Sequence, residues 1–149
     1  MEANDTASQG LRAVRGWVRL TQAMEAFNRE LARRHGVTGA QLAMLRIVGE
    51  QPLTLAELRS RLVMHPATIG QLIERMQRQG LVERSVSPDD RRRRLVRPTA
   101  KGRQLLQAAP LAGPVRLRHA PPAAAGRLER LAEALEDAVE LFGLEEWSA

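Results

Sequence analysis

The chain has 149 residues, of which 44% are hydrophobic and only 3% aromatic; it has no cysteine and a formal net charge of +6. That length supports one core, or a small domain with appended helices, filled by Leu, Ala and Val, and the lack of cysteine excludes disulfides, thiolate metal sites and cysteine redox sensing. No apolar run approaches the roughly 20 residues of a membrane helix, and the opening MEANDTASQG has neither a basic start nor an apolar stretch, so a cytoplasmic protein without a membrane partner is expected.

Residues 1–9 are polar and are expected to form a flexible tail. A helical pattern follows over about 10–36, where Ala13, Trp17, Leu20, Met24, Phe27 and Leu31 recur at spacings of 4, 3, 4, 3 and 4 before Gly36 stops it. This is a heptad seam, and it asks for a partner helix. Thr38 and Gln41 carry a capping-box signature for a second helix, which contains Leu42, Met44, Leu45, Ile47 and Val48 and is broken by Gln51 and Pro52. Thr54 and Glu57 form another, opening a short helix with Leu55, Leu58 and Leu62 on one face. A turn at Val63 and Met64 leads to Pro66, which suits a first helical position. The helix it starts runs to about Gln79 with Ile69, Leu72, Ile73 and Met76 inward, and Gly80 closes it.

Beyond Gly80, LVERSV alternates with the period of a half-buried strand, SPDD supplies turn chemistry, and RRLVRP is the return strand, with Pro98 confined to an edge or an end. Thr99 caps a further helix to about Ala109. Four prolines and Gly113 then break continuity from Pro110 to Pro122, allowing at most a short turn near Val115 to His119. The last helix spans about Ala123 to Gly143, with Leu128, Leu131, Leu135, Ala138 and Phe142 at spacings of 3, 4, 3 and 4. Two short helices, a strand, a charged turn and a returning strand in this order read as a winged helix-turn-helix: a mainly α fold with a small β-hairpin wing.

Charge follows the same division. Between Leu55 and Arg103 twelve basic residues face five acidic ones, a net of +7, so the rest of the chain sums to −1. From Arg127 to Ala149 two basic and seven acidic residues give −5. A local positive surface is the electrostatic footprint of phosphate binding. Two apolar seams flanking it point to a dimer frame in which Trp17, Leu20, Leu128, Leu131, Leu135 and Phe142 meet a second copy. The alternative is that both seams pack internally in a monomer.

At residues 66–102, PATIGQLIERMQRQGLVERSVSPDDRRRRLVRPTAKG resembles the MarR family of bacterial transcriptional regulators. Within it LIERMQRQGLVER is similar to the family's second helix feeding its first wing strand, and Asp90 to Arg92 is similar to its wing-tip Asp-x-Arg. The helix order extends the likeness loosely over the whole chain. The resemblance implies a six-helix winged-helix protomer in which the first, fifth and sixth helices build a dimer. Carried onto this chain, 10–36 and 104–149 become dimerisation helices, the latter with its Pro-rich break at 110–122, and 37–103 becomes the DNA-binding lobe.

The same resemblance makes His65–Gln79 the recognition helix, with Pro66, Ala67, Thr68 and Gln71 at positions facing the major groove. Residues near the start of such a helix reach base edges; Thr68 can offer its hydroxyl or its methyl, and Gln71 can pair bidentately with adenine. Arg75, one turn on, suits a phosphate. The plainer reading of Thr68 is a locally bonded helix-start hydroxyl, and of Gln71 a solvated side chain. In the wing, Arg91, Arg92, Arg93 and Arg94 repel one another unless anions lie nearby, and Asp90 is expected to hold Arg92 for entry into a narrowed minor groove; otherwise the turn is a solvated charged hairpin. The chain departs from the family pattern at His65, where Asp or Ser is commoner, at Val63, where a turn glycine often sits, at Gly70, where a polar residue often contacts DNA, at Pro98, and across 110–122.

Many relatives release DNA when a small aromatic or phenolic effector enters a cleft beside the dimer frame, and Trp17, Phe27, Met44 and Leu106 are conceivable lining residues, though each also suits plain core. His35, His65 and His119 lack ligand spacing, so neither a metal nor another cofactor is expected. No glycine-rich phosphate loop or activated nucleophile points to an enzyme. The sequence therefore reads as a dimeric repressor of a pseudo-palindromic operator on double-stranded DNA, released by a small molecule. Its rivals are a nonspecific architectural DNA binder and a winged-helix module that docks an acidic protein partner.

Overall fold

The computed structural model describes residues 2–62 and 64–148, apart from the side chains of 2–4; the expected turn residue Val63 lies outside these. The chain forms two compact units, Met1–Gly113 and Pro114–Ala149.

In the first unit α1 (Glu2–His35) is followed by α2 (Gly39–Glu50), β1 (Leu53–Thr54), α3 (Leu55–Arg61), α4 (Pro66–Arg78), β2 (Val82–Val86), β3 (Arg94–Pro98) and α5 (Ala100–Ala108). The first helix begins at Glu2, so the segment expected to be a tail is helical. Ala7 favours helix, no proline interrupts, and Gln9 donates to the Asp5 carboxylate one turn back at 3.1 Å. The seam of α1 changes character along its length. Leu31 is buried and Phe27 and Met24 are half-buried, whereas Trp17 and Leu20 are 52% and 57% exposed.

Both capping boxes form. Thr38 Oγ1 accepts from the Gln41 amide while the Gln41 side chain accepts from the Thr38 amide, and Thr54 and Glu57 repeat the pattern. Gln41 is buried, and its Nε2 donates to Gln79 Oε1 at 2.8 Å, linking the start of α2 to the end of α4. The core joins Leu42, Leu45 and Val48 of α2 to Leu58 of α3, Ile69, Ile73 and Met76 of α4, and Leu53, Val82 and Val96 of the sheet. Each such side chain contributes about 1.5–3 kcal/mol on burial.

The sheet has the order β1-β3-β2, antiparallel throughout. β3 is thus central, and Pro98 is accommodated as its last residue, opposite Val82. Gly80, with φ +70°, ends α4: the Leu81 amide reaches back to the Met76 carbonyl at 2.9 Å and turns the chain into β2. Gly102 is needed for space, because a β-carbon there would stand 2.2 Å from the Leu81 carbonyl oxygen. That contact seats α5 against the start of the wing.

In the second unit a 3-10 turn (Pro114–His119) and a shorter one (Pro122–Ala124) precede α6 (Ala125–Leu141). The prolines shorten the regular structure, as their missing N–H groups and fixed φ require. None of the α6 residues is buried, and Leu131, Leu135 and Phe142 are 39%, 51% and 45% exposed; Leu128 is half-buried. No described helix is long and apolar enough to cross a membrane.

Candidate nucleic-acid interface

α4 divides cleanly into an inner and an outer face. Ile69, Ile73 and Met76 are fully buried, while Pro66, Ala67, Thr68, Gln71 and Arg75 are not, and their side chains lie on the outer side. The inner contacts fix the helix against α3 and the sheet, leaving the outer side chains to solvent. His65 caps the helix although Asp or Ser is the commoner residue there, and its Nδ1 accepts from the Ala67 amide at 3.3 Å. The first turn is satisfied within itself: Pro66 has no N–H to offer, and the Thr68 and Ile69 amides donate to the His65 carbonyl at 2.9 and 3.2 Å.

The wing is built by β2 and β3 around a turn closed by the Ser87 amide, which donates to the Arg93 carbonyl at 2.9 Å. The expected grip of Asp90 on the Arg92 guanidinium does not form. The Asp90 carboxylate instead accepts from the Arg92 backbone N–H at 2.9 Å, and its carbonyl accepts from the Arg93 amide at 3.0 Å. A carboxylate two residues upstream closes an Asx turn most readily, so Asp90 shapes the tip and leaves the Arg92 head outward.

The four wing arginines are not equivalent. Arg93 reaches back to α3, where its Nη2 lies 2.6 Å from Glu57 Oε1. Glu57 also accepts from the Thr54 amide at 2.7 Å. Its carboxyl is held below the usual range, chiefly by that backbone bond and further by the Arg93 charge. One carboxylate thus ties the wing to the helix-turn-helix. Arg97 pairs across the strands with Glu83 at 2.9 Å, Arg103 donates to the Pro98 carbonyl and Lys101 to the Gln79 carbonyl. With these four of the twelve cations engaged, Arg75 on α4 and Arg91, Arg92 and Arg94 on the wing have no acid in ion-pair range among the described residues. Outward like charges of this density need counter-ions.

A cleft of about 70 Å³ lies between the end of α1 and the end of α5, lined by Phe27, Glu30, Leu31, Arg34, His35, Ala108 and Pro110. Glu30 pairs with Arg33 and Arg34, and the hydrogen bond from Arg33 is the main reason its carboxyl sits below the usual range. Of the four conceivable effector-lining residues only Phe27 lies here. Met44 is buried core and Leu106 packs against that core, while Trp17 is exposed two to three turns back along α1. The cleft is well below the roughly 300 Å³ of a typical small-molecule site. Among the described residues there is no cluster of three or more His, Asp or Glu with which to hold a metal.

The fold and this outward arginine surface define a winged helix-turn-helix protein. A model of the MarR family matches residues 35–93. A probable transcriptional regulator from Pseudomonas aeruginosa, of known structure, is 31% identical, the match covering 78% of this chain and 92% of that one with a TM-score of 0.55. The chain belongs to the MarR family, whose members are regulators and not enzymes. It is also 36% identical over 74 residues to the transcriptional regulator HosA of Escherichia coli O111:H-, which is 49% of this chain and 55% of HosA. The chain therefore spans about half the length of the curated relatives it matches. The structure of Bordetella bronchiseptica BpsR, reported with a mechanism for regulation of its DNA binding by 6-hydroxynicotinic acid, is 25% identical over 81% of this chain and 90% of that one, with a TM-score of 0.58.

Proposed function

We propose that this chain is a dimeric, sequence-specific transcriptional repressor. In this reading Thr68 and Gln71 meet base edges in the major groove, Pro66 and Ala67 pack beside them, Arg75 holds a phosphate, and Arg92 enters the minor groove flanked by Arg91 and Arg94. The observation that carries it is the division of labour among the arginines: those on the outer face of α4 and at the wing tip have no acidic partner among the described residues, while Arg93 and Arg97 brace the scaffold. Family membership supports it. The exposed apolar residues Trp17 and Leu20 on α1, Leu131 and Leu135 on α6, and Phe142 just past its end, support a frame that joins two copies, which would set two reading helices about one helical turn apart on a pseudo-palindrome.

Release by a small aromatic ligand is the regulation this reading favours. It is supported by the aromatic Phe27 and the basic Arg34 and His35 in one cleft, and by the ligand-regulated DNA binding reported for BpsR. At its present size the cleft must open to admit such a molecule, so binding and a shift of α1 against α5 are one event.

The test is selection of bound duplexes from a random library, followed by titration of the enriched sequence and of random DNA across salt concentrations. A specific component that survives salt supports the reading. Equal affinity for both duplexes indicates an architectural binder, and no binding at low salt indicates a protein-docking wing.

A further inference from the structure

Gly70 lies in the first half of α4, one turn beyond Pro66 and directly before Gln71. A β-carbon at this position would have one neighbour within 4 Å, the Nη2 atom of Arg59, at 3.9 Å. The guanidinium of α3 therefore lies against the part of the α4 surface that the glycine leaves bare. Arg59 is exposed, and no acid stands within ion-pair range of it among the described residues, although Glu74 follows one turn later on the same helix as Gly70. Arg59 stands in the last turn of α3, whose negative end favours a cation, but among the described residues no carboxylate pairs with it. The surrounding lobe is already strongly basic. The donors of its guanidinium therefore remain open to an external anion or a pair of acceptor atoms.

We infer that Arg59, whose head lies beside the surface left bare at Gly70, is a DNA-contacting residue that brings a guanidinium from α3 to the edge of the reading helix. The inference rests on the DNA-binding reading above. The fork of Arg59 matches two acceptor sets on duplex DNA, phosphate oxygens and the O6 and N7 atoms of guanine. Residue 59 would then add one contact beside Gln71 that α4 alone does not supply.

The experiment is a double-mutant cycle on the duplex enriched by the wild-type protein, read by fluorescence anisotropy. Arg59→Ala is expected to weaken binding about 5- to 150-fold. Gly70→Leu, which fills the space where the guanidinium rests, is expected to weaken binding to a similar degree, and to have no further effect once Arg59→Ala is present. Thermal unfolding should show both variants folded, since leucine is the better helix former. A loss that falls with rising salt and is largely restored by Arg59→Lys identifies phosphate; a loss confined to duplexes with one particular G·C pair identifies guanine. Binding by Arg59→Ala equal to wild type overturns this inference alone, as do additive effects of the two substitutions. Failure of the wild-type protein to bind any duplex overturns the DNA-binding reading itself.

Discussion

Arg92 and Arg93 are adjacent in sequence, and the structure gives them opposite roles, so replacing each by alanine separates binding from bracing. The Arg92 head is exposed, and only its backbone N–H is engaged, by Asp90 at 2.9 Å. Alanine keeps that N–H, so the Asx turn and the wing survive and stability should change by no more than about 0.5 kcal/mol. What is lost is a guanidinium at the tip, equivalent to about 1–3 kcal/mol of operator binding, or roughly 5- to 150-fold in Kd. The slope of log Kd against log salt should become shallower by about one. Arg93→Ala removes the link to Glu57 and a cation already paired with a carboxylate. Its salt slope should match wild type, with a smaller loss of affinity that comes from a less firmly rooted wing. Anisotropy titrations at four or five salt concentrations, with urea unfolding in parallel, measure both quantities. Equal losses and equal slopes for the two variants would refute the division, as would a lowered urea midpoint for Arg92→Ala.

Other perturbations follow from single contacts. Gly102→Ala drives a β-carbon to 2.2 Å from the backbone oxygen of Leu81; the overpacking, typically about 1–3 kcal/mol, exceeds the roughly 1 kcal/mol that alanine gains in a helix, so the urea midpoint falls. Because the Glu57 carboxyl is depressed in the folded chain, its contribution is complete above the ordinary carboxylate range and is lost as pH falls through the folded value; Glu57→Gln should flatten the acid limb of the urea midpoint against pH. His65→Asp gives α4 a stronger cap and raises the melting temperature, while the new negative charge at the helix start lowers DNA affinity, a divergence seen by running both assays on one preparation. Leu135→Glu places a charge in the exposed apolar row of α6 and should halve the sedimenting mass in analytical ultracentrifugation with the circular dichroism unchanged.

Much of the lobe is legible in local chemistry. Both capping boxes, the Gly80 stop and the two wing strands depend on residues within a few positions of one another, and these form where their spacing places them. The features that are not legible depend on partners far along the chain. β1 is two residues long and has no periodicity of its own; it exists because Leu53 and Thr54 lie beside Val96 and Leu95. Arg93 is indistinguishable from its neighbours in sequence, and only the fold brings Glu57, 36 positions away, beside it. Gly70 reads as a deletion of contact chemistry until the approach of Arg59 from the preceding helix shows which group lies beside it. The pairing of Asp90 with Arg92 is right in residue and wrong in atom, since an Asx turn and an ion pair are served by the same two residue types. The early start of α1 follows from helix propensity outweighing polarity, which excludes a buried face but not a helix.

The junction between α4 and α5 has a mechanical implication. Lys101 Nζ donates to the Gln79 carbonyl at 2.8 Å, Thr99 Oγ1 to the Gly80 carbonyl at 2.5 Å, and the Thr99 amide to the Leu81 carbonyl at 3.0 Å. These three tethers clamp the last turn of α4 to the first turn of α5, and Gly102 allows no slack between them. The nine residues of α5 form a rod about 13 Å long, so a tilt of about ten degrees pivoting at Ala108 carries the clamped end through about 2 Å. That travel is several times the roughly 0.5 Å spread of hydrogen-bond lengths, so the clamp would pass a tilt of α5 at the cleft to the end of α4 as a lever arm does.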